Sequence, residues 1–174
     1  MLPKVDCEVG LDEIWKPIRG FNYAVSNLGR IRSEKSGRIL ALSQNQYGVV
    51  QVGLVRDGVQ HHRSVPLLVA KAFVDNRFEA YETPINLDGD RLNNRADNLV
   101  WRPRWFAIRY NQQFRIPYLH HIDRPIQDLK TGEISDSSIE CAKRYGLLES
   151  DLVMSILNRT YVWPTYQIFG VVEE

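Results

Sequence analysis

Residues 84–101, PINLDGDRLNNRADNLVW, contain the most specific pattern in the chain. Their first part predicts a short strand that ends in a turn at Asp88-Gly89, because Asp and Gly favour turn conformations. An amide-rich loop follows and returns to a second strand that ends at Trp101. The spacing of apolar residues then predicts a helix over residues 105–114. We therefore expect two strands followed by a helix at the centre of the fold.

The preceding residues predict small β structure that leads into a helix. A turn sequence lies at residues 26–29, and the segment 47–54, YGVVQVGL, is typical of a strand. Asp57-Gly58 predicts a tight hairpin after that strand. Over residues 65–73 the apolar spacing becomes helical, and Pro66 suits the first turn of a helix, where its missing N–H is not needed.

The residues after the central stretch predict a linker and then a helix-turn-helix unit. Residues 115–124 form the predicted linker, and a hairpin is predicted over residues 125–134. Two short helices follow at residues 138–145 and 149–158, on either side of Gly146, which suits the position just after a helix end. Two short helices joined by a glycine turn are typical of a helix-turn-helix.

The composition is that of a folded protein. Of the 174 residues, 44% are hydrophobic and 25% are charged, and the net charge is +1. This balance excludes a disordered or collagen-like chain. Cys7 and Cys141 are far apart in sequence, so we expect a reducing cytoplasm and no cysteine-based metal site. Because no apolar run approaches about 20 residues and the N-terminus lacks an apolar segment, we expect neither a membrane span nor a signal peptide.

The small net charge conceals alternating blocks. Residues 16–71 carry a net charge of +7 and residues 91–124 a net charge of +5, whereas residues 1–15, 72–90 and 125–174 carry −3, −4 and −4. Two separate basic blocks are compatible with focused patches that contact phosphate. The alternative is ordinary solvated surface charge.

Taken together, these patterns resemble the HNH homing endonucleases encoded in bacteriophage introns. Residues 13–33 are similar to the family's N-terminal NUMOD4 module, and residues 64–73 to its Val-His-Arg-Leu-Val-Ala helix, with Pro66 in the place of the His. Residues 87–101 are similar to its core signature, and residues 124–147 to its C-terminal NUMOD1-type helix-turn-helix repeat.

The resemblance implies an α+β fold of successive modules. A small β-rich NUMOD4-like module is predicted at residues 1–60, and a degenerate ββα core of the HNH or His-Me finger type at residues 61–114. The linker at residues 115–124 then leads to a β-hairpin plus helix-turn-helix at residues 125–174.

The resemblance also implies where the chemistry of the site would lie. In this family one His acts as general base on a water, while a divalent ion holds the scissile phosphate. The corresponding base and ligand positions are Asn86 and Ile85, and a further ligand position, six residues after Trp101, is Ala107. Asn cannot take up a proton near pH 7, and Ile and Ala cannot ligate a metal. We therefore expect a scaffold without hydrolytic activity and without metal or other cofactor.

An active nickase with a non-standard site is the alternative. Asp88 and Asp90 would then hold Mg²⁺ or Mn²⁺ together with Asn111, and His61 or His62 would supply the base. In the simpler interpretation the two aspartates form a turn and the two histidines are solvated strand ends.

The residues predicted to contact nucleic acid are mostly arginines, because the planar fork of Arg suits bidentate phosphate contact and stacking on bases. The N-terminal module and the core with its exit contribute the following residues: Arg19, Arg30, Arg32, Lys35, Arg38, Arg91, Arg95, Arg102, Arg104, Arg109 and Arg115. The aromatic residues interleaved with the second group are interpreted as the packed face of a helix: Trp105, Phe106, Tyr110 and Phe114.

The predicted function is non-covalent binding of nucleic acid by a catalytically inactive phage protein, as a monomer in the cytoplasm of an infected bacterium. Its target is structured RNA, such as ribosomal RNA, or duplex DNA. The second helix of the C-terminal unit opens with Glu149-Ser150-Asp151, and acidic side chains repel phosphate. This weakens duplex recognition by that helix. It leaves open a module that binds and inhibits a host protein, or a surface suited to a ribosome; no membrane partner is expected.

Overall fold

The computed structural model describes residues 12–116 and 118–172, so that Cys7 in the N-terminal eleven residues, Pro117 in the predicted linker and the last two residues lie outside it. Two small antiparallel sheets open the fold. Their strands, in chain order, are β1 (Trp15–Pro17), β2 (Tyr23–Ser26) and β3 (Ile31–Ser33), then β4 (Ser43–Gln44), β5 (Val50–Arg56) and β6 (Val59–Ser64). Asp57 and Gly58 both have positive φ, +53° and +77°, which gives the tight hairpin predicted between β5 and β6.

Helix α1 (Val65–Phe73) follows β6 directly and has Pro66 in its first turn, as predicted. Its buried residues Val65, Val69 and Ala70 recur at helical spacing and pack against both N-terminal sheets and Trp101. This apolar cluster joins residues on both sides of position 60. The apolar core is therefore continuous across this position, and the module boundary predicted there stays a prediction.

The central stretch forms two strands and a helix. Strand β7 (Thr83–Asn86) pairs antiparallel with β8 (Leu99–Arg102), and helix α2 (Arg104–Gln113) follows, one residue earlier at each end than predicted. Between the strands a short 3-10 helix covers Ala96–Asn98. Phe106 and Tyr110 of α2 are fully buried against Ile85 of β7, and Phe114 is partly buried beside them, which confirms the packed helix face for these three residues. The interpretation is wrong for Trp105, which is 52% exposed.

The C-terminal unit contains a three-stranded sheet and two helices. The elements are β9 (Ile126–Asp128), β10 (Ile134–Ser135), α3 (Ser138–Tyr145), α4 (Glu149–Asn158) and β11 (Phe169–Val171), with β9 in the middle of the sheet. Ser137 caps α3 by accepting a hydrogen bond from the Glu140 N–H. Gly146 ends α3 in the left-handed conformation, at φ +61°. Both predicted helix ranges agree with the structure.

The C-terminal unit packs on the core along a seam, formed by Arg102 and Gln113 on the core side and residues 145–149 on the other. The Arg102 guanidinium donates to the carbonyls of Gly146 at 3.1 Å and Tyr145 at 3.0 Å. Gln113 donates to the Leu147 carbonyl at 3.2 Å and accepts from the Glu149 N–H at 2.9 Å.

The α+β class predicted from the sequence is confirmed: small antiparallel sheets combine with four α-helices in residues 12–116 and 118–172. None of the helices in these residues has the length and hydrophobicity that a bilayer crossing requires.

Candidate nucleic-acid interface

The polar side chains of the core loop, residues 86–98, form hydrogen bonds within the loop. The Asn86 amide donates to the Asn93 carbonyl at 2.8 Å and to the Asn94 side-chain oxygen at 3.2 Å. The Asn98 amide donates to the Asp88 carboxylate at 2.9 Å and to the Asn93 carbonyl at 2.8 Å. Because backbone groups in a loop need partners, these amides satisfy the loop and fix its shape.

The three positions that the resemblance assigns to chemistry lie at this loop and on α2. Ile85 is 1% exposed and packs against Phe106, and Ala107 is 4% exposed on the same helix. Asn86 is 7% exposed, with its amide N–H groups directed into the core loop. None of these three side chains is a proton acceptor at neutral pH.

A groove of about 520 Å³ opens beside them, and we call it the core groove. A stripe of α2 that contains Arg104, Ile108 and Asn111 lines it, together with residues of β7 and the exposed Glu82 just before that strand. The start of α1, Tyr47 and the start of β5 complete the lining. The groove therefore combines an apolar surface with guanidinium and amide groups and one carboxylate.

Arg91 is the most constrained charge in the core groove. Its guanidinium donates to the Asn111 side-chain oxygen at 3.2 Å and to the Tyr47 carbonyl, while the Asn111 amide donates to the Ala107 carbonyl at 2.7 Å. Burial lowers the pKa of Arg91, and the positive charge of Arg115 lowers it further. Arg91 therefore presents a fixed positive charge at this end of the groove.

The donor set expected for a divalent ion does not fit these residues. The Asp88 carboxylate is taken up by Asn93 at 2.7 Å and Asn98, and the Asn111 oxygen accepts from Arg91. Within residues 12–116 and 118–172, no group of three or more His, Cys, Asp or Glu side chains is placed to hold a metal ion. His61, the other residue of the alternative site, packs edge-on against Phe21 with ring centroids 5.7 Å apart.

The predicted basic residues divide into paired and unpaired groups. Four form ion pairs: Arg30 with Glu13, Arg32 with Glu34 at 3.1 Å, Arg95 with Asp97 at 3.0 Å, and Arg109 with Asp151 at 3.5 Å. Hydrogen bonds from Arg30 and Arg95 lower the pKa of the Glu13 and Asp97 carboxyls, respectively. Six form no ion pair with the described part of the chain: Arg19, Lys35, Arg38, Arg91, Arg104 and Arg115.

Arg102 requires a correction. It was predicted to contact phosphate. The residue is 6% exposed, and its guanidinium donates hydrogen bonds to the carbonyls of Gly146 and Tyr145 in the seam and to the Trp101 carbonyl. A group that is buried with these partners is not presented to a ligand, so the interface excludes Arg102.

Two further arginines, not singled out from the sequence, lie over an aromatic ring. The guanidinium carbons of Arg56 and Arg63 lie 5.2 and 5.4 Å from the centroid of the Phe21 ring. On the N-terminal sheet Arg32 lies over Trp15 in a similar way, at 4.5 Å. The signal that points to Arg56 and Arg63 is their position in the +7 block, but their contact with Phe21 depends on tertiary structure.

The acidic start of α4 faces the protein. Glu149 is 2% exposed, and its carboxylate accepts from the Ser138 hydroxyl at 2.5 Å and lies 2.7 Å from His121 Nδ1. Asp151 pairs with Arg109 of α2. The repulsion of phosphate expected from these two residues is thus reduced, because Glu149 is buried and hydrogen-bonded and Asp151 is paired with Arg109.

Comparison with known proteins shows similarity to HNH endonucleases. A NUMOD4 motif matches residues 13–55. Two uncharacterized HNH endonucleases of Acanthamoeba polyphaga mimivirus are 36% and 39% identical to about half of the chain, 50% and 51%, and these matches cover 26% and 23% of the relatives. DNA endonuclease I-HmuI of Bacillus phage SP01 is 36% identical over 92 residues, which cover 50% of this chain and 51% of that protein. The chain thus spans between a quarter and half of the curated relatives it matches.

A solved structure carries the same fold. The structure described as DNA binding and cleavage by the HNH homing endonuclease I-HmuI superposes with a TM-score of 0.53, covering 92% of this chain and 99% of that one at 21% identity. The resemblance to HNH homing endonucleases with an N-terminal NUMOD4 module is therefore confirmed, and the chain is HNH endonuclease-like in sequence and fold.

Proposed function

We propose that this protein binds nucleic acid through its unpaired arginines and does not hydrolyse it. One observation carries the proposal: the core groove holds the fixed Arg91 guanidinium beside Asn86 and Ala107, where the resemblance expects a base and metal ligands. A guanidinium attracts phosphate and repels a divalent cation. The residues of the groove therefore suit retention of a phosphate, and the described residues that line it, which include the exposed Glu82 carboxylate, contain no histidine.

Duplex DNA is the target that the comparisons support. One relative is named a DNA endonuclease, and the solved structure of the same fold is described as binding and cleaving DNA. The burial of Glu149 and the pairing of Asp151 with Arg109 also remove part of the electrostatic objection to duplex contact. In this proposal the protein acts inside a phage-infected bacterium, where the phosphate backbone supplies most of its affinity.

The binding experiment measures affinity for a duplex DNA and for a structured RNA over a range of salt concentrations. We expect affinity for the duplex to fall linearly in a double-logarithmic plot against salt, since each phosphate contact releases counterions. Arg19→Gln and Arg38→Gln should each reduce the slope by about 1. Lys130→Gln, the matched loss of one exposed charge in the acidic C-terminal block, should leave the slope unchanged.

An affinity that does not change between low and high salt would contradict the phosphate interface. Tighter binding of the RNA would move the target to RNA, with ribosomal RNA as the first candidate. A host protein that stays bound after complete nuclease digestion would instead favour the protein-binding interpretation.

The activity experiment incubates supercoiled DNA with the protein in Mg²⁺ or Mn²⁺. We expect no nicking, because the described residues that line the core groove include one carboxylate, Glu82, and no histidine, and they form no ligand set for a divalent ion. Nicking that disappears in Asp88→Ala would overturn the proposal and restore the metal-dependent nickase. Asp97→Ala, which removes an exposed carboxylate from the same loop, is the matched control.

A further inference from the structure

The core groove has two chemically different parts. Its charged end contains Arg91, held by Asn111 and by the Tyr47 carbonyl. Within the described residues Arg91 forms no ion pair with a carboxylate. An anion placed beside its guanidinium is therefore stabilised by an uncompensated positive charge.

The rest of the groove is largely apolar, although the exposed Glu82 carboxylate also lines it. Pro66 and Leu67 at the start of α1 form part of its surface, together with Ile108 of α2. Ile108 is 53% exposed although it is β-branched and apolar. Arg104 lies one turn before Ile108 and Asn111 about one turn after it, so the α2 wall extends over about 10 Å of helix axis.

We propose that the core groove binds one nucleoside monophosphate unit, with its phosphate at Arg91 and its base against Pro66, Leu67 and Ile108. This inference rests on the proposed function and names the ligand of one of its surfaces. A bare phosphate would use only the charged end, and an apolar ligand would leave the positive charge of Arg91 without an anion. A nucleotide satisfies both parts, and the groove volume of about 520 Å³ is within the range of small-ligand pockets.

The planar fork of Arg91 is oriented before the ligand arrives. Its hydrogen bonds to Asn111 and to the Tyr47 carbonyl restrict the side chain, so less conformational entropy is lost when a phosphate binds. Arg104, at the other end of the α2 stripe, is exposed and offers a second guanidinium to a neighbouring phosphate of a strand. The unit can come from a nucleotide displaced from a strand or from a free nucleotide.

The first experiment titrates the full chain with adenosine 5′-monophosphate, adenosine and inorganic phosphate at low salt, by calorimetry. We expect the monophosphate to bind about tenfold more tightly than either part alone, since only it contacts both regions of the groove. Equal affinity for the monophosphate and inorganic phosphate would overturn the role of the apolar surface. Equal affinity for the monophosphate and adenosine would overturn the role of Arg91.

Variants assign the two regions. Ile108→Ala should weaken the monophosphate several-fold and leave inorganic phosphate unchanged, whereas Leu157→Ala, another exposed apolar residue on a helix, should change neither. Arg91→Lys should weaken both anions about tenfold, because Lys keeps the charge but loses the bidentate fork. Arg104→Gln, at an exposed position where folding is unaffected, should weaken a strand more than the free nucleotide.

The second experiment distinguishes the source of the unit and separates this inference from the proposed function. A duplex with one unpaired nucleotide should bind more tightly than the fully paired duplex, and Ile108→Ala should abolish that difference. If both duplexes bind equally and the monophosphate does not bind, the inference is wrong while nucleic-acid binding stands. If the monophosphate binds and neither duplex does, the groove is a free-nucleotide site and the proposed function is wrong.

Discussion

Two buried polar networks stabilise this protein, and they are assembled in different ways. In the core loop, Asn86 and Asn98 bond to groups between residues 88 and 94, within one short stretch of chain. In the seam, Arg102 and Gln113 bond to groups that lie 44 and 34 positions away. The loop can therefore form locally, whereas the seam exists only after the C-terminal unit has packed on the core.

This difference has a functional consequence. The core loop fixes its own shape with its amides, and its Arg91 lines the core groove together with Arg104 of α2. The seam removes Arg102 from the surface and buries Glu149, while Asp151 pairs with Arg109 of α2 beside it. Together the two networks decide which charges reach a ligand.

The largest effect is expected from Arg102→Met, which tests the seam directly. The substitution leaves the carbonyls of Gly146 and Tyr145 without their donors in a buried place, at a cost of about 3 kcal/mol in the free energy of unfolding. Urea unfolding measures this cost. A variant as stable as the parent protein would show that the desolvation cost of burying the guanidinium equals the free energy gained from its hydrogen bonds.

The second test is Gly146→Ala, with Gly37→Ala as its control. Both glycines have positive φ, but a Cβ at Gly146 would lie 2.9 Å from Leu87 and 3.1 Å from Arg102, whereas nothing lies within 4 Å at Gly37. We expect a loss of about 2.5 kcal/mol at Gly146, where crowding adds to backbone strain, and of about 1 kcal/mol at Gly37. Equal losses at the two sites would show that Leu87 and Arg102 move away from the added methyl group at no cost in the free energy of unfolding.

The third test moves to the core loop with Asn98→Ala. This change removes hydrogen bonds to the Asp88 N–H at 3.1 Å, to its carboxylate and to the Asn93 carbonyl. We expect unfolding to be easier by about 2 kcal/mol, less than for Arg102→Met, because the loop is only partly buried. Asn158→Ala, an exposed amide at the end of α4, should change stability little. A loss larger than that of Arg102→Met would reverse the order of the two networks.

The smallest effect is expected at the edge of the core loop, at Arg95→Gln. The Arg95 guanidinium lowers the pKa of the Asp97 carboxyl, so the pair contributes stability above the ordinary carboxyl pKa of about 3.9 and loses it as pH falls through the lowered value. In Arg95→Gln we expect a slightly lower thermal midpoint at neutral pH and a smaller difference from the parent below about pH 4. A difference that grows on acidification would contradict this sign.

The local elements were predictable because short-range chemistry determines them. The helix over residues 65–73 and the two helices around Gly146 have the predicted limits, since proline, serine caps and a left-handed glycine act within a few residues. The central two strands and helix were also predicted, because the turn at Asp88-Gly89 and the return at Trp101 are sequence features. The absence of a base at Asn86 is likewise a property of the sequence.

The composition of the interface could not be predicted in the same way. Arg102 and Arg104 are the same residue type and lie two positions apart, yet Arg102 is buried in the seam and Arg104 lines the core groove. Strand β8 ends at Arg102 and helix α2 begins at Arg104, so the two side chains have different surroundings. The contact of Arg56 and Arg63 with Phe21 likewise joins residues that are distant in the chain.

The sequence by itself thus determined the order of strands and helices, the loop that shapes the core, and the presence of Ile85, Asn86 and Ala107 at the positions that the resemblance assigns to chemistry, because each depends on residue identity within a short stretch. Tertiary structure alone decided which arginines are buried, paired or free, and it formed the core groove from α1, α2, β5 and β7. Burial and ion pairing depend on which distant elements pack together, and a charge is available to a ligand only when that packing leaves it without a partner.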